Sequence, residues 1–115
     1  LLFFICQSFI AIFELEIINY IEHYGLSRKE IAPNVFEQQN SSHTWNSNHL
    51  LSNYALFNLP LHSDHHQYAG RRFFQLRHDK TSPQLPFGYS LMVIIALIPS
   101  LWKKMMDPLV MQAME

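Results

Sequence analysis

The sequence predicts an all-α, integral-membrane helical fragment, part of a bundle larger than itself. Three observations predict it. The chain opens on a long apolar run, its seven histidines sit beside many amides, and its 115 residues with 49% hydrophobic content are too few to hide that apolar surface from water. An apolar exterior around a polar interior suits a membrane protein. Residues 1–115 are expected to form the C-terminal part of a single domain, because the chain begins at Leu1, within a helix, rather than at Met. A trimmed signal sequence is the alternative, and Glu14 and Glu16 interrupt the apolar run without a processing site.

Eight Lys and Arg nearly balance nine Asp and Glu, so no basic field exists to attract nucleic acid. The single cysteine, Cys6, permits neither a disulfide framework nor a paired-cysteine zinc site. Any metal must therefore be held through nitrogen or oxygen.

Residues 1–24 read as one helix, which at about 1.5 Å per residue crosses a hydrocarbon layer of about 30 Å. Its polar residues Glu16, Asn19 and His23 share one narrow face, expected to look inward, with Phe9 and Ile12 continuing that face. Glu14 lies on the opposite side and fits no stripe. Gly25 closes the helix, since glycine takes the left-handed conformation without steric cost.

Residues 27–44, with Pro33 among charges and amides, predict a water-facing loop with room for a short helix. Asn46 or Ser47 is placed to cap a helix over residues 48–59, which Pro60 interrupts. A second helical piece is expected over residues 61–76. Pro83, Pro86 and Gly88 then mark a turn-rich connection, and the apolar run 89–102, broken by Pro99, is too short for a full crossing and reads as interfacial or re-entrant. Trp102, Lys103 and Lys104 read as an aromatic and basic anchor at the cytoplasmic boundary.

The sharpest chemical signal is His62-Ser63-Asp64-His65-His66. Within a helix, imidazoles at i, i+3 and i+4 fall within about 100° of one face and converge on a metal. Imidazole suits iron, zinc, copper and nickel alike, and a solvent-facing, His-rich helix end is the bland alternative. His23 ends the polar stripe of a spanning helix, where an ionisable group is costly without a partner. Asn19, Glu22 and Asp64 are candidates for orienting these imidazoles, although Glu22 lies off the stripe. His43 and His49 suit capping or interfacial roles, and His78, between Arg77 and Asp79, reads as a solvated residue. Arg71, Arg72, Arg77 and Lys80 form either a wet surface or a docking patch.

Three blocks, Asn19-Tyr20-Ile21-Glu22-His23-Tyr24-Gly25-Leu26, His43-Thr44-Trp45-Asn46-Ser47 and His62-Ser63-Asp64-His65-His66, stand in this order and spacing. They resemble the membrane fatty-acid desaturase and hydroxylase superfamily, and within it the bacterial alkane 1-monooxygenases. Leu85-Pro86-Phe87-Gly88-Tyr89, Ala96-Leu97 and Met106-Asp107-Pro108 are similar to the same family's tail, so the likeness covers residues 18–108. Leu59-Pro60-Leu61 departs from the Gln-Arg pair usual before this histidine box, and Phe73 stands near a position that usually follows a proline.

The resemblance implies a desaturase-like di-iron helical bundle in the bacterial inner membrane, with its metal site on the cytoplasmic side. It implies two non-haem iron ions, with His62, His65 and His66 as the last histidine box and His23 as the lone ligand before it. No catalytic residue beyond the metal ligands is implied. Two earlier boxes would lie before Leu1, so the isolated chain is expected to be inactive. The implied reaction uses O2 to hydroxylate the terminal carbon of an alkane or other apolar substrate drawn from membrane lipid. Electrons would come from rubredoxin, with Arg71, Arg72 and Arg77 as its landing patch. A desaturase, an aromatic-methyl (xylene-type) hydroxylase, and an inactive metal-binding fragment are the alternatives on the same scaffold.

Overall fold

The computed structural model describes residues 1–114, and it is mostly helical. The opening run, free of Gly and Pro, forms α1 (Leu2–His23), which is long and apolar enough to cross a membrane. Only its last two turns, from Ile17 onward, are packed. Phe3, Phe4, Phe9, Ile12, Phe13 and Leu15 are all exposed, while Ile21 is completely buried. Glu16 and Asn19 are exposed as well, so among the described residues only His23 of the polar stripe meets partners.

Gly25 ends α1 with φ +71, and a Cβ there would lie 2.6 Å from Cγ2 of Val110. Left-handed backbone and close approach both require glycine. The segment read as loop contains a small antiparallel hairpin, β1 (Glu30–Ala32) and β2 (Val35–Phe36). Its turn places Asn34 at φ 60, a conformation asparagine tolerates, and the Asn34 N–H donates to Oε1 of Glu30 at 2.7 Å. A 3-10 turn at Ser41–His43 follows, capped by Asn40.

Both middle helices are shorter than their sequence patterns predict. Helix α2 covers only Leu50–Ala55, because Phe57 and Asn58 take left-handed backbone before buried Pro60. Helix α3 stops at Gln67 (His62–Gln67), and a 3-10 turn, Phe73–Gln75, takes up part of the remainder. The chain turns back there because Asp64 captures the guanidinium of Arg71 and, at 3.1 Å, the backbone N–H of Arg77.

The apolar run 89–102 forms α4 (Tyr89–Ala96) and the start of α5 (Pro99–Met114), which continues past Trp102 where the sequence pattern predicts no helix; the two are bent by 120° at the break. Pro99 lacks the N–H that α4's ladder needs but suits the first turn of α5. The bend fits the expected re-entrant or interfacial course. Ile21, Trp45, Leu85, Tyr89, Met92, Ile95, Trp102 and Met106 form the core around the end of α1. Trp102 therefore does not serve as a boundary anchor: it is fully buried, its ring 5.3 Å from those of Tyr20 and Tyr24, while Lys103 and Lys104 remain exposed.

Candidate metal centre

Two helix ends meet at this site, and each is fixed by the segment between them. Carbonyls in the last turn of a helix lack intrahelical partners. Trp45 satisfies two at the end of α1: its backbone N–H donates to the Glu22 carbonyl and its indole Nε1–H to that of Tyr24, both at 2.8 Å. The adjacent Asn46 serves the start of α3. Its Oδ1 accepts from the backbone N–H of Ser63 at 2.9 Å and from Ser63 Oγ at 3.0 Å. Asn46 thus supports α3, which starts sixteen residues after it, rather than the nearer helix its sequence position predicts, and Ser47 is buried with its backbone N–H on the Pro60 carbonyl.

His23, at the end of α1, and His62 and His66, in α3, are thereby brought together. Nε2 of His62 lies 2.8 Å from Nε2 of His66 and 3.3 Å from Nε2 of His23. All three offer one nitrogen within 4.8 Å of the others.

Three clustered ring nitrogens present more lone pairs than neutral imidazole N–H groups can satisfy. A metal ion resolves that conflict, and all-nitrogen donors suit iron, so the residues fit the implied metal. Burial, and then the neighbouring His66, His23 and His65, push the His62 pKa down to about 3. His66 is also lowered, first by burial. Both rings are neutral near pH 7, as metal ligation requires.

A family profile described as "Fatty acid desaturase" matches residues 1–95. The chain belongs to the fatty acid desaturase family. It is 58% identical to alkane 1-monooxygenase 2 of Alcanivorax borkumensis over 92% of this chain and 28% of that relative. Alkane 1-monooxygenase 2 of Pseudomonas aeruginosa is 52% identical, over 93% of this chain and 28% of the relative. The xylene/toluene monooxygenase hydroxylase component of Pseudomonas putida is 35% identical over 73% of this chain and 21% of the relative. This desaturase-family chain thus spans little more than a quarter of the curated relatives it matches most strongly.

Within this family member, the other candidate residues fall outside the nitrogen group in different ways. His65 is half-buried, with its ring 6.0 Å from that of His62, and lines a separate recess with Leu56, Leu59, Phe73 and Arg71. Asn19 lines an open groove with Glu16, Tyr20 and His23. Asp64 points away from the imidazoles, and its bonds hold the connection after α3 instead. Arg71 pairs with Asp64 and covers the Tyr68 ring at 3.8 Å, whereas Arg72 and Arg77 are exposed.

His43 is a buried capping residue: its Nδ1 accepts from Asn40 and its Nε2 lies 3.1 Å from Glu37. His49 is exposed at the start of α2. His78 is not the solvated residue its charged neighbours predict, because it is half-buried and its Nδ1 is enclosed without a partner. Glu22, off the polar stripe, is the carboxylate that reaches the imidazoles, with Oε2 3.2 Å from Nε2 of His62. Sequence reasoning missed the supporting roles of Trp45, Asn46 and Tyr89. Asn46 carried a capping signal, though for the wrong helix, and Trp45 and Tyr89 were marked only by their places in the resemblance blocks.

Proposed function

We propose that this chain is the C-terminal part of a membrane non-haem di-iron monooxygenase that hydroxylates the terminal carbon of alkanes. One observation carries the proposal: ring nitrogens from two helices, 39 residues apart at His23 and His62, converge in a chain similar to named alkane 1-monooxygenases.

Iron bound there would supply O2 activation: one oxygen atom enters a C–H bond and the other leaves as water, with two electrons and two protons delivered from outside. His23, His62 and His66 would hold one ion, and His65, on the same short helix, is the candidate ligand for a second. Further ligands belong to the parts of the full-length enzyme outside this chain, so this chain alone is inactive. Asp64 and Asn46 keep α3 aimed at the site, and the packing of Trp45, Tyr89 and Trp102 keeps bulk water from the buried side. The exposed apolar length of α1 lies in lipid, where an alkane is already dissolved. The polar end of α1 supports a metal site at a membrane boundary, and the family resemblance implies the cytoplasmic face of the bacterial inner membrane.

Exposed Arg72 and Arg77, with part-buried Arg71, offer an acidic electron donor of the rubredoxin type a landing surface. Product analysis of the full-length enzyme with octane, a xylene and a fatty acyl substrate tests the assignment. Terminal alcohol from octane is expected, and a desaturated acyl product would defeat it. Hydroxylation of an aromatic methyl group is the second reading, favoured by the similarity to the xylene/toluene monooxygenase component.

A further inference from the structure

The segment Leu85-Pro86-Phe87-Gly88-Tyr89 brings no metal ligand, yet Tyr89 is 1% exposed and reaches across to α1. Its phenol donates to Oε1 of Glu22 at 2.7 Å. The other oxygen, Oε2, lies 3.2 Å from Nε2 of His62, the nitrogen to which His23 and His66 also point. With the metal reading above as its premise, we infer that Tyr89 is a positioning residue of the centre, acting through Glu22.

Burying a carboxylate is costly without partners that satisfy it. Among the described residues, Glu22 is within ion-pair distance of no Lys or Arg, and His62 is its one basic neighbour. Tyr89 supplies one hydrogen bond to Oε1 and so fixes the orientation of the carboxyl group. The other oxygen is thereby held beside Nε2 of His62, within reach of a cation that the three imidazoles would bind.

Tyr89 is itself fixed. Its backbone N–H donates to Oγ of Ser52 at 3.0 Å, and a Cβ at Gly88 would come within 2.7 Å of that same oxygen. Gly88 thus leaves room for the Ser52 hydroxyl that holds Tyr89. The line of contacts runs from α2 through the start of α4 to α1 and the imidazoles. It gives the segment a role that its composition alone does not reveal.

The test uses the full-length enzyme in detergent, stripped of metal and titrated with cobalt(II), whose visible spectrum reports its ligand field. Tyr89→Phe keeps the packed ring and removes the hydroxyl. It is expected to weaken one cobalt equivalent by about 10-fold or more, the usual effect of losing an outer-shell partner, and to shift the spectrum. In a Glu22→Gln background the same change is expected to add nothing, because both act through one carboxylate. Unchanged cobalt affinity and spectrum in Tyr89→Phe, with only thermal stability lowered, overturns the inference. So does a Tyr89→Phe effect that persists in full in the Glu22→Gln protein. Unaltered cobalt binding in Glu22→Gln alone also overturns it, should Tyr89→Phe not fold. A wild-type enzyme that binds no metal at these histidines instead overturns the functional reading on which the inference rests.

Discussion

Nε2 of His62 is the atom on which most of the site's chemistry turns, with two imidazole nitrogens and one carboxylate oxygen within 3.3 Å of it. Replacing His62 or His66 by Ala in the full-length enzyme is expected to remove at least one iron equivalent and abolish turnover, as measured by metal analysis and product formation. His78→Ala, remote from the cluster, is expected to leave both unchanged. Acid sensitivity follows from the same ring. His62 has an unfolded-state pKa near 6.5 and a folded value of about 3. Between those values the unfolded chain binds the extra proton, so stability rises with pH through this window and is lost as pH falls from about 6.5 toward about 3. Denaturant titrations of metal-stripped enzyme across that range are expected to show a falling midpoint, and the His62→Ala variant a shallower fall.

At the scale of elements, the site depends on how one helix end and one helix start are held. Asn46→Ala would leave a buried backbone N–H and a buried hydroxyl at Ser63 without an acceptor, a change expected to cost about 1–3 kcal/mol. Thermal melting checks the loss, and iron content should fall with it because α3 carries two of the three converging imidazoles. Gly25→Ala places a methyl against Val110 in left-handed backbone. It is expected to destabilise the α1–α5 contact by more than about 1 kcal/mol, again measurable by melting.

The opening helix and the histidine cluster were legible in sequence because they are local: α1 declares itself by an unbroken apolar run, and His62, His65 and His66 by helical spacing. Helix α5, with Pro108 inside it, and the short elements were not. Helices α2 and α3 are cut off by left-handed residues at Phe57 and Asn58 and by the Asp64 bonds to Arg71 and Arg77, which pairing along the sequence does not reveal. Long-range contacts also hid the burial of Trp102, the transfer of Asn46's capping to α3, and the approach of Glu22 to His62. Periodicity put Glu22 off the polar stripe of α1. Its side chain nevertheless reaches the site because α3 and α4 approach that flank.

At the scale of the whole molecule, most of α1 stands clear of the core with its phenylalanines and leucines exposed. So large an apolar surface on a water-soluble chain drives association. The isolated chain is expected to sediment as aggregate in plain buffer and to remain dispersed in detergent or lipid nanodiscs; monodisperse behaviour in buffer would count against a membrane-embedded α1. The core itself gathers the end of α1, the Trp45 segment, α4 and α5 beside the imidazoles, and an open groove lined by Asn19 and His23 runs along the end of α1. That open side is where the rest of the full-length enzyme is expected to supply further ligands. The most direct measurement is a structure of the full-length enzyme with iron located by its anomalous scattering. One iron is expected within coordination distance of Nε2 of His23, His62 and His66 together; iron bound elsewhere, with these three rings apart and joined only by water, would contradict the assignment.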